Sequence, residues 1–338
     1  MERTPAVWFP TVRTNTGTDI FTERLVKELN QRGIRAEITW LPLRSEYAPW
    51  TVPLPEAPNW ATIAHVNTWL HPRFAPQNLP FVATIHHSVH HPDALSYKGW
   101  LRAAYHKFWI APIEREIMRR AAKVIAVSHF VADTAKQTLA DVPIEVIYNG
   151  VDTAIFKPRN RIRTPGEPFQ LLYVGSWMAR KGVDLLAPIM RELGDQFELR
   201  YTGGPAAEKD KPDMPSNMKD IGRLDGDAEV ARAMQNSDAF LFPSRSEGHP
   251  LVAIEAIACG IPVVATRGSS LTEVIKDQQT GVLCTQDDVH AFTKAVRRIA
   301  STPTTASQQP SVAPPSISQN SSSHIAIYEN VLRKSSPS

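Results

Sequence analysis

Two glutamates, eight positions apart, lie in the segment of this sequence whose residue types best suit ligand chemistry. The segment reads SRSEGHPLVAIEAIACGIPVVAT from 244 to 266, with Glu247 and Glu255 on either side of Pro250. Proline favours the first turn of a helix, so Glu247 is expected in a strand-to-helix loop and Glu255 about one and a half turns into the helix. Alanine and isoleucine residues surround Glu255, and a carboxylate in such an environment needs a hydrogen-bond donor. The hydroxyl groups of a ribose would supply one.

Cations and glycines follow two further predicted strands. The strand QLLYVGS runs into Gly175, and Arg180 and Lys181 come just before the helix that is predicted to open after the next glycine. Amide groups at a helix N-terminus and two cations together suit a diphosphate, although such cations are also common in solvated loops. Gly203, in RYTGGP after the following strand, permits close approach of a ligand to the backbone, and a tight turn explains it equally well.

Four histidines occur together in ATIHHSVHH, directly after a predicted strand, at positions 86, 87, 90 and 91. Imidazoles at this density are typical zinc or copper ligands. A catalytic zinc site would also need neighbouring carboxylate or thiolate ligands, and Asp93 is the one acid nearby, so no metal is predicted here. His86 is then either a side chain that faces a ligand or a histidine with a structural role.

The sequence LDGDAEV contains Asp225 and Asp227, which match the form of an Asp-x-Asp metal motif. The position of Asp227 directly before a helical pattern favours an N-cap instead. The charge of a diphosphate is then expected to be balanced by Lys181, Arg180 and helix N-termini. The sequence therefore predicts neither a metal nor another cofactor.

The overall composition restricts the class of protein. With 338 residues, of which 42% are hydrophobic, the chain is long enough for two domains. A formal charge of +3, from 37 basic and 34 acidic residues, gives little reason to expect nucleic acid as a partner. Cys259 and Cys284 form no CxxC motif, and no apolar stretch reaches the ~20 residues of a membrane span, so a soluble cytoplasmic protein is expected.

Apolar runs of strand length alternate with helical patterns along most of the chain, which predicts an α/β fold of two doubly wound, Rossmann-like domains with parallel sheets. Ligands of such sheets bind at the carboxyl ends of the strands, so the domains are expected to face a central cleft. Prolines and arginines interrupt the pattern at 158–168, the predicted linker between domains at 1–157 and 169–300. Ser, Thr, Pro and Gln dominate 301–323, which predicts a flexible segment before a C-terminal helix at 324–338.

Residues 97–123 mix aromatic side chains with lysine and arginine at roughly helical spacing. One interpretation is that the aromatic side chains pack on the sheet while the cations are solvated. The other is contact with anionic lipid or a lipid-linked acceptor, which would place the protein peripherally at the inner membrane face.

These motifs together resemble the retaining GT-B glycosyltransferases of glycosyltransferase family 4, the glycosyl transferases group 1. The likeness rests on the Glu-x7-Glu pattern, on IYNGVDTAIFKP, on VIAVSHFVADTA and on TNTGTDIFTERLVKEL, and it extends to about Ala300, with IAIYENVL similar to a terminal crossing helix. It implies an acceptor-side N-terminal domain and a C-terminal domain that binds a nucleotide sugar. The family often has arginine after the glycine equivalent to Gly175, whereas this chain has Ser176, and Arg180 is expected to replace that cation.

The resemblance also implies roles for individual residues. Glu255 would bind the donor ribose, Glu247 would lie beside the transferred sugar and its phosphate, and Lys181 would hold the diphosphate. His86 would face the donor sugar, and Gly17 would lie near the phosphate and the acceptor. The implied catalytic residues are His86, Glu247 and Lys181, and the implied donor-binding residues are Gly17, Gly175, Arg180, Lys181, Gly203, Glu247, Gly248, His249, Pro250, Leu251 and Glu255.

The implied activity is metal-independent transfer of a sugar from a nucleotide-diphosphate sugar to a hydroxyl group of a saccharide or lipid-linked acceptor, in the synthesis of a cell-surface polysaccharide or glycolipid. Two alternatives stay open: a non-catalytic partner that binds a sugar nucleotide, and an epimerase or phosphorylase of the same architecture. A dinucleotide-dependent oxidoreductase is disfavoured, because no G-x-G-x-x-G follows a first strand.

Overall fold

Two parallel β-sheets organise the computed structural model, which describes residues 4–87, 89–97, 99–159, 161, 163–302 and 313–335. The chain divides into two units, unit 1 (Met1–Gly150 and Pro315–Ser338) and unit 2 (Val151–Pro314). Each unit carries one six-stranded sheet with helices in its connections, so the predicted α/β fold of two doubly wound domains is confirmed. Within the described ranges, no helix combines the length and the apolar character that crossing a bilayer requires.

Unit 1 is built on six strands and the helices that connect them. The strands are β1 (Val7–Val12), β2 (Ala36–Leu41), β3 (Ile63–Asn67), β4 (Phe81–Ile85), β5 (Lys123–Ala126) and β6 (Ile144–Val146). The helices are α1 (Gly17–Gln31), α2 (Trp100–Tyr105), α3 (Ala111–Arg120), which follows a π-helical turn at His106–Ile110, and α4 (His129–Thr138). The spatial order is β2-β1-β3-β4-β5-β6, with all neighbours parallel. β1, β3 and β4 are buried along their whole length, as expected for apolar strands covered on both faces.

Unit 2 repeats this architecture. Its strands are β7 (Phe169–Tyr173), β8 (Phe197–Tyr201), β9 (Met218–Asp220), β10 (Ala239–Phe242), β11 (Val263–Thr266) and β12 (Gly281–Cys284). Its helices are α5 (Val183–Leu193), α6 (Asp227–Gln235), α7 (Leu251–Ala258), α8 (Leu271–Val274) and α9 (Val289–Ser301). The strand order is β12-β11-β10-β7-β8-β9, so the direction of winding reverses between β7 and β10. Such a reversal is the place where a doubly wound sheet binds its ligand.

The boundary between the units differs from the predicted one. The first domain was expected to extend to residue 157, but the first segment of unit 1 ends at Gly150 and unit 2 begins at Val151. Val151 and Phe156 are buried in the core of unit 2. The predicted linker is also attached to unit 2, because Arg161 forms ion pairs with Glu167 and Asp238. Two apolar side chains therefore determine the boundary, earlier than the proline-rich stretch suggests.

The C-terminal helix also begins earlier than expected. Helix α10 covers Ile317–Ser335, whereas the sequence predicts a flexible segment to residue 323 and a helix from 324. Residues 303–312 of that segment lie outside the described residues. The polar start of α10 is fixed by tertiary contacts: Asn320 and Ser321 are buried, and Asn320 Nδ2 donates to the carbonyl oxygen of Tyr148 at 2.7 Å. Further along α10, apolar side chains pack in the unit 1 core beside α1.

A cluster of buried histidines lies where α10 meets the sheet of unit 1. The Nδ1 of His65 is 2.7 Å from the hydroxyl of Tyr328, and its Nε2 is 2.6 Å from the hydroxyl of Thr84. The rings of His65 and His324 are stacked, with centroids 5.6 Å apart. Burial, followed by the charges of His324 and His86, lowers the pKa of His65 well below its ordinary value. Burial lowers the pKa of His324 to about 4. The cluster is therefore packed in its neutral form.

We expect acidification to loosen α10. The unfolded chain binds protons on its histidines below pH ~6.5, whereas the folded His324 resists protonation until pH about 4, so the free energy of unfolding falls as the pH decreases through this window. For His324 alone the loss amounts to about 3 kcal/mol. Hydrogen exchange of the α10 amides at a series of pH values measures it, with His324→Gln as the comparison. The same pH dependence in both proteins would contradict the prediction.

Candidate active site

The reversal of winding in the sheet of unit 2 brings two connections together. β7 and β10 are parallel neighbours, although two other strands lie between them in the sequence. The connection after β7 contains a short 3₁₀ helix at Ala179–Lys181, and the connection after β10 runs to the start of α7. Parallel strands end at the same edge of a sheet, so side chains of both connections meet there.

Lys181 and Glu247 form a buried ion pair across these connections. The Nζ and Oε1 atoms are 2.6 Å apart, and the side chains are 15% and 8% exposed. The hydroxyl of Ser244 donates a second hydrogen bond to Oε1 of Glu247. The backbone N–H of Glu247 donates to the hydroxyl of Ser269 at 3.2 Å, and its carbonyl oxygen accepts from Ser270 at 3.1 Å. The carboxylate is therefore held through both its side chain and its backbone.

Burial and charge act on this pair in opposite directions. Burial raises the pKa of Glu247, but the charges of Lys181 and Arg180 and the hydrogen bonds from Lys181 and Ser244 outweigh it, so the pKa lies below its ordinary value. Burial lowers the pKa of Lys181, and the positive charge of Arg180 lowers it further. The Glu247 carboxylate raises this pKa, but the net result is a pKa below the ordinary value. Glu247 is thus ionised at neutral pH. The ammonium group of Lys181 is removed from water, so it interacts more strongly with an approaching anion than a solvated ammonium group does.

Two arginines hold the connections to each other. Nη1 of Arg180 donates to the carbonyl oxygen of Ser246 at 2.5 Å, and the carbonyl oxygen of Arg180 accepts from the N–H of Arg245 at 2.9 Å. The buried guanidinium of Arg245 donates to both carboxylate oxygens of Asp184 at 2.7 Å and to Asp287 at 2.6 Å. Sequence reasoning missed Arg245, because its acidic partners are 61 and 42 residues away. The residues within 244–266 give no indication that Arg245 forms these contacts.

Gly182 allows the close approach of the two connections. It joins the 3₁₀ helix to α5 with φ +70°, a left-handed conformation that disfavours other residues. A Cβ at this position would lie 2.1 Å from the carbonyl oxygen of Pro243, directly after β10. The backbones therefore touch next to Lys181, and the Lys181 side chain needs to reach only a short way to Glu247.

The second glutamate lies in a helix, as the sequence predicts. Glu255 is buried within α7, whose N-cap is Pro250 and whose first residue is Leu251. Gly248 and His249 precede it in the same connection and are also buried. Burial lowers the pKa of His249 to about 3, so its imidazole is neutral at physiological pH. Residues 247–250 thus form a continuous buried stretch after β10, and Leu251 at the start of α7 is half-buried.

Gly175 and Gly203 follow β7 and β8 at the same edge of the sheet. The N–H of Gly175 donates to the hydroxyl of Thr202 at 3.0 Å, and the N–H of Gly203 donates to Oδ1 of Asp220 at 3.1 Å. A Cβ at Gly203 would lie 2.6 Å from the ring of Tyr201. Both amides thus have protein partners, and the packing on Tyr201 gives Gly203 a structural role that needs no ligand.

His86 and Gly17 belong to unit 1. His86 follows β4 and is buried, with its ring 4.7 Å from that of Phe21. Burial, followed by two neighbouring histidines, lowers its pKa well below the ordinary value, and its Nε2 has no hydrogen-bond partner among the described residues. A buried polar atom of this kind needs an explanation, and a bound ligand is one. Gly17 is the first residue of α1, after the N-cap Thr16. Their roles toward a sugar donor stay predictions.

The other histidines of the four-histidine stretch have partners of their own. His90 Nε2 lies 2.6 Å from Oε2 of Glu114, whose other oxygen accepts from Thr68 at 2.9 Å. The ring of His91 packs 5.0 Å from that of Phe130. In the part of the chain that the structure describes, no group of three His, Cys, Asp or Glu side chains is placed to hold a metal ion.

Asp227 differs from the predicted N-cap. It is the first residue of α6, and Gly226 occupies the N-cap position with φ +80°. That positive φ favours glycine over aspartate at the cap. An acid in the first helical turn still interacts favourably with the helix dipole, so Asp227 keeps a structural role at the start of the helix.

Comparison with known proteins gives two consecutive family matches. The model described as Glycosyltransferase Family 4 matches residues 19–155, and the model described as Glycosyl transferases group 1 matches residues 168–302. An uncharacterized glycosyltransferase of Methanocaldococcus jannaschii is 31% identical over 62% of this chain and 56% of its own length. Glycogen synthase of Mycobacterium tuberculosis is 29% identical over 73% of this chain and 62% of its own length. The chain thus spans less than two thirds of these curated relatives.

Solved structures share the fold over nearly the whole chain. Sucrose-phosphate synthase from Thermosynechococcus elongatus matches with a TM-score of 0.72 at 20% identity, covering 98% of this chain and 97% of that one. HepE of Anabaena in complex with UDP matches with a TM-score of 0.64 at 15% identity, covering 97% and 98%. The expected GT-B fold is therefore confirmed.

We expect Gly182→Ala to disrupt the site more than the loss of a glycine alone would. An alanine at positive φ costs about 1 to 2 kcal/mol, and the new Cβ at Gly182 would in addition collide with the backbone of Pro243. Gly33→Ala is the matched control, because Gly33 has φ +77° and open space around the new Cβ, and the bond from the N–H of Ile34 to the carbonyl oxygen of Leu29 is that of a left-handed cap at the end of α1. Urea unfolding should show a clearly larger loss of unfolding free energy for Gly182→Ala. Equal losses would show that the close approach to Pro243 is unimportant.

Proposed function

Since this chain belongs to glycosyltransferase family 4, the glycosyl transferases group 1, we propose that it transfers a sugar from a nucleotide-diphosphate sugar to a hydroxyl group of a saccharide or lipid-linked acceptor. The proposal includes retention of configuration at the anomeric carbon and independence from metal ions. The buried pair of Lys181 and Glu247, beside Arg180, is the observation that carries it. The complex of HepE with UDP supports a nucleoside diphosphate as the leaving group.

The donor diphosphate is proposed to bind at the start of α5. This helix is 11 residues long, and its N-terminal N–H groups carry partial positive charge. Lys181 and Arg180 add two cations there beside the carboxylate of Glu247, while the carboxylate of Asp184 in the first turn of α5 is paired with Arg245. Lys181 would share its ammonium group between Glu247 and a phosphate oxygen. Because the ammonium is already desolvated, that second contact is stronger than it would be at the surface.

The donor ribose is proposed to bind Glu255. A buried carboxylate is stabilised by donors that fit its two oxygens, and the paired hydroxyl groups of a ribose are such donors. Glu255 lies on the helix that begins directly after the connection with Glu247. One short stretch of chain would thereby contact the sugar phosphate at its start and the nucleoside within its helix.

In the proposed reaction, the bond between the anomeric carbon and the leaving phosphate oxygen breaks, and the acceptor oxygen bonds to the same face of that carbon. The acceptor proton passes to the leaving phosphate oxygen, so no protein base is needed. Lys181, Arg180 and the N-terminus of α5 stabilise the negative charge that grows on the diphosphate. Glu247 holds Lys181 in place through the 2.6 Å contact and lies beside the transferred sugar.

Unit 1 is proposed to serve the acceptor side. The buried Nε2 of His86, which has no partner among the described residues, offers a neutral imidazole to a sugar hydroxyl. The reaction is proposed to take place in the cytoplasm, in the synthesis of a cell-surface polysaccharide or glycolipid.

Lys181→Met should lower the rate of sugar transfer about 100-fold or more, because one donor to the developing diphosphate charge is lost. The donor for this assay comes from a thermal-shift screen of UDP-, GDP- and ADP-sugars, since a ligand of the folded state raises the unfolding temperature. Analysis of the product then separates transfer from epimerisation, phosphorolysis and binding without turnover. Activity that requires a divalent cation after treatment with EDTA would contradict metal independence.

Two controls separate catalysis from folding in this experiment. Lys123→Met removes a lysine that is also ion-paired, with Glu145 at 2.8 Å, and should leave transfer unchanged. Lys181→Met leaves Glu247 buried without its cation, which is destabilising. The double variant Lys181→Met/Glu247→Gln should therefore regain stability without regaining activity. Full activity in the double variant would refute the assigned role of Lys181.

Glu255→Gln should weaken donor binding about 10-fold or more, because hydrogen bonds to a charged acceptor are replaced by bonds to a neutral one. The loss should depend on the ribose hydroxyls. Isothermal titration with a nucleoside diphosphate and with its 2′,3′-dideoxy form measures this: the wild type should prefer the natural nucleotide, and the variant should prefer it clearly less. An undiminished preference in the variant would place the ribose elsewhere.

A further inference from the structure

Exposed large apolar side chains concentrate in two segments of unit 1. Nine such side chains are exposed among the described residues, and seven of them lie in residues 43–54 and 100–108. The most exposed are Trp100 at 78%, Phe108 at 72%, Leu101 at 66% and Trp50 at 64%. Single apolar side chains at a surface are ordinary, but a concentration of this kind marks an interaction site.

The two segments form one surface, because they are bonded to each other. The hydroxyl of Tyr105 donates to Oε1 of Glu46 at 3.0 Å, and the indole N–H of Trp109 donates to the carbonyl oxygen of Glu46 at 2.8 Å. The rings of Trp50 and Trp109 meet edge to face, with centroids 6.4 Å apart. We call this surface, residues 43–54 and 100–108, the aromatic face.

Packing on the sheet accounts for only one part of the segment 97–123. Ile110, Ile113 and Ile117 are buried, as expected for packing on the sheet. Trp100 and Phe108 are exposed instead. They are eight positions apart, so they lie on one side of a helix. Phe108 and Ile110 both belong to the π-helical turn at His106–Ile110, so the change from exposed to buried side chains falls within this turn, and such turns are frequent at functional sites.

The charges on the aromatic face are mainly positive. Arg44, Arg102 and Lys107 are exposed, and Glu46 is the one acid of the two segments. Glu46 is half-buried and accepts the hydrogen bond from Tyr105, so its charge is directed inward. The surface thus presents aromatic and aliphatic side chains together with three exposed cations.

We propose that the aromatic face binds the surface of an anionic lipid bilayer. Tryptophan, phenylalanine and leucine partition into the boundary between headgroups and acyl chains, and lysine and arginine beside them reach anionic headgroups. The exposed charges of this surface all have one sign, so it is complementary to the uniformly negative headgroup layer of an anionic bilayer. The chain would bind peripherally, through unit 1. This inference does not depend on sugar transfer, and its failure would leave the proposed function untouched.

Flotation of the full chain with vesicles tests the proposal. Vesicles of phosphatidylcholine with phosphatidylglycerol should carry the protein, and vesicles of phosphatidylcholine alone should carry much less. Trp100→Ser/Phe108→Ser should lower the partition coefficient at least about 10-fold. Lys107→Glu should lower it about fivefold, and added salt should have a smaller effect on this variant than on the wild type. Ile20→Ser and Arg223→Glu, which change an exposed apolar side chain and an exposed cation elsewhere, should bind like the wild type.

Three results would overturn the proposal. The first is the absence of flotation with anionic vesicles. The second is flotation that is unchanged in both the apolar and the charge variant. The third is a dimer in analytical ultracentrifugation that Trp100→Ser/Phe108→Ser dissociates, which would assign the aromatic face to a second copy of the chain. Circular dichroism checks that the variants fold, and if the apolar variant does not, Lys107→Glu and the salt series still decide the question.

Discussion

A lysine and a glutamate that are both buried need each other, and much of unit 2 serves to keep Lys181 and Glu247 together. Removing either partner would leave a charge without compensation away from water, at a cost of several kcal/mol. The contact at Gly182 brings the two backbones close, and Arg245 ties the connection after β10 to Asp184 and Asp287. Ser244 bonds to the Glu247 carboxylate, and two further serines bond to the Glu247 backbone. The result is a rigid, desolvated arrangement of charges at the edge of the sheet where an anionic ligand of a doubly wound domain is expected.

Unit 1 is organised around a different constraint, the neutral packing of polar side chains. Its C-terminal helix returns to the sheet with His324 and Tyr328, which meet His65 in a buried cluster. The same unit leaves the aromatic face at its surface, held in shape by Glu46. The buried histidine cluster and the aromatic face thus lie in separate parts of unit 1. Within the cluster, His65 is satisfied by Tyr328 and Thr84, whereas Nε2 of His324, like Nε2 of the nearby His86, has no partner in the described part of the chain.

The sequence predicted local features where local chemistry decides them. Proline at 250 placed Glu247 in a loop and Glu255 in a helix, and glycines and cations after strands indicated the connection with Lys181. Prediction was wrong where a distant partner decides the outcome. Val151 packs in the core of unit 2, so the first domain ends before the proline-rich stretch at 158–168. The serine-rich start of α10 has little helical propensity, yet it is helical because Asn320 and Ser321 are buried against unit 1.

By itself, the sequence determined the alternation of strands and helices, the α/β class and the residue types that follow most of the strands, because hydrophobic periodicity, glycine and proline act over a few positions. Only the tertiary structure decided which of those connections meet. Lys181 and Glu247 are 66 residues apart, and they touch because β7 pairs with β10. It also decided the protonation of the buried groups, since the pKa of His249 or His65 depends on how completely folding removes water from them.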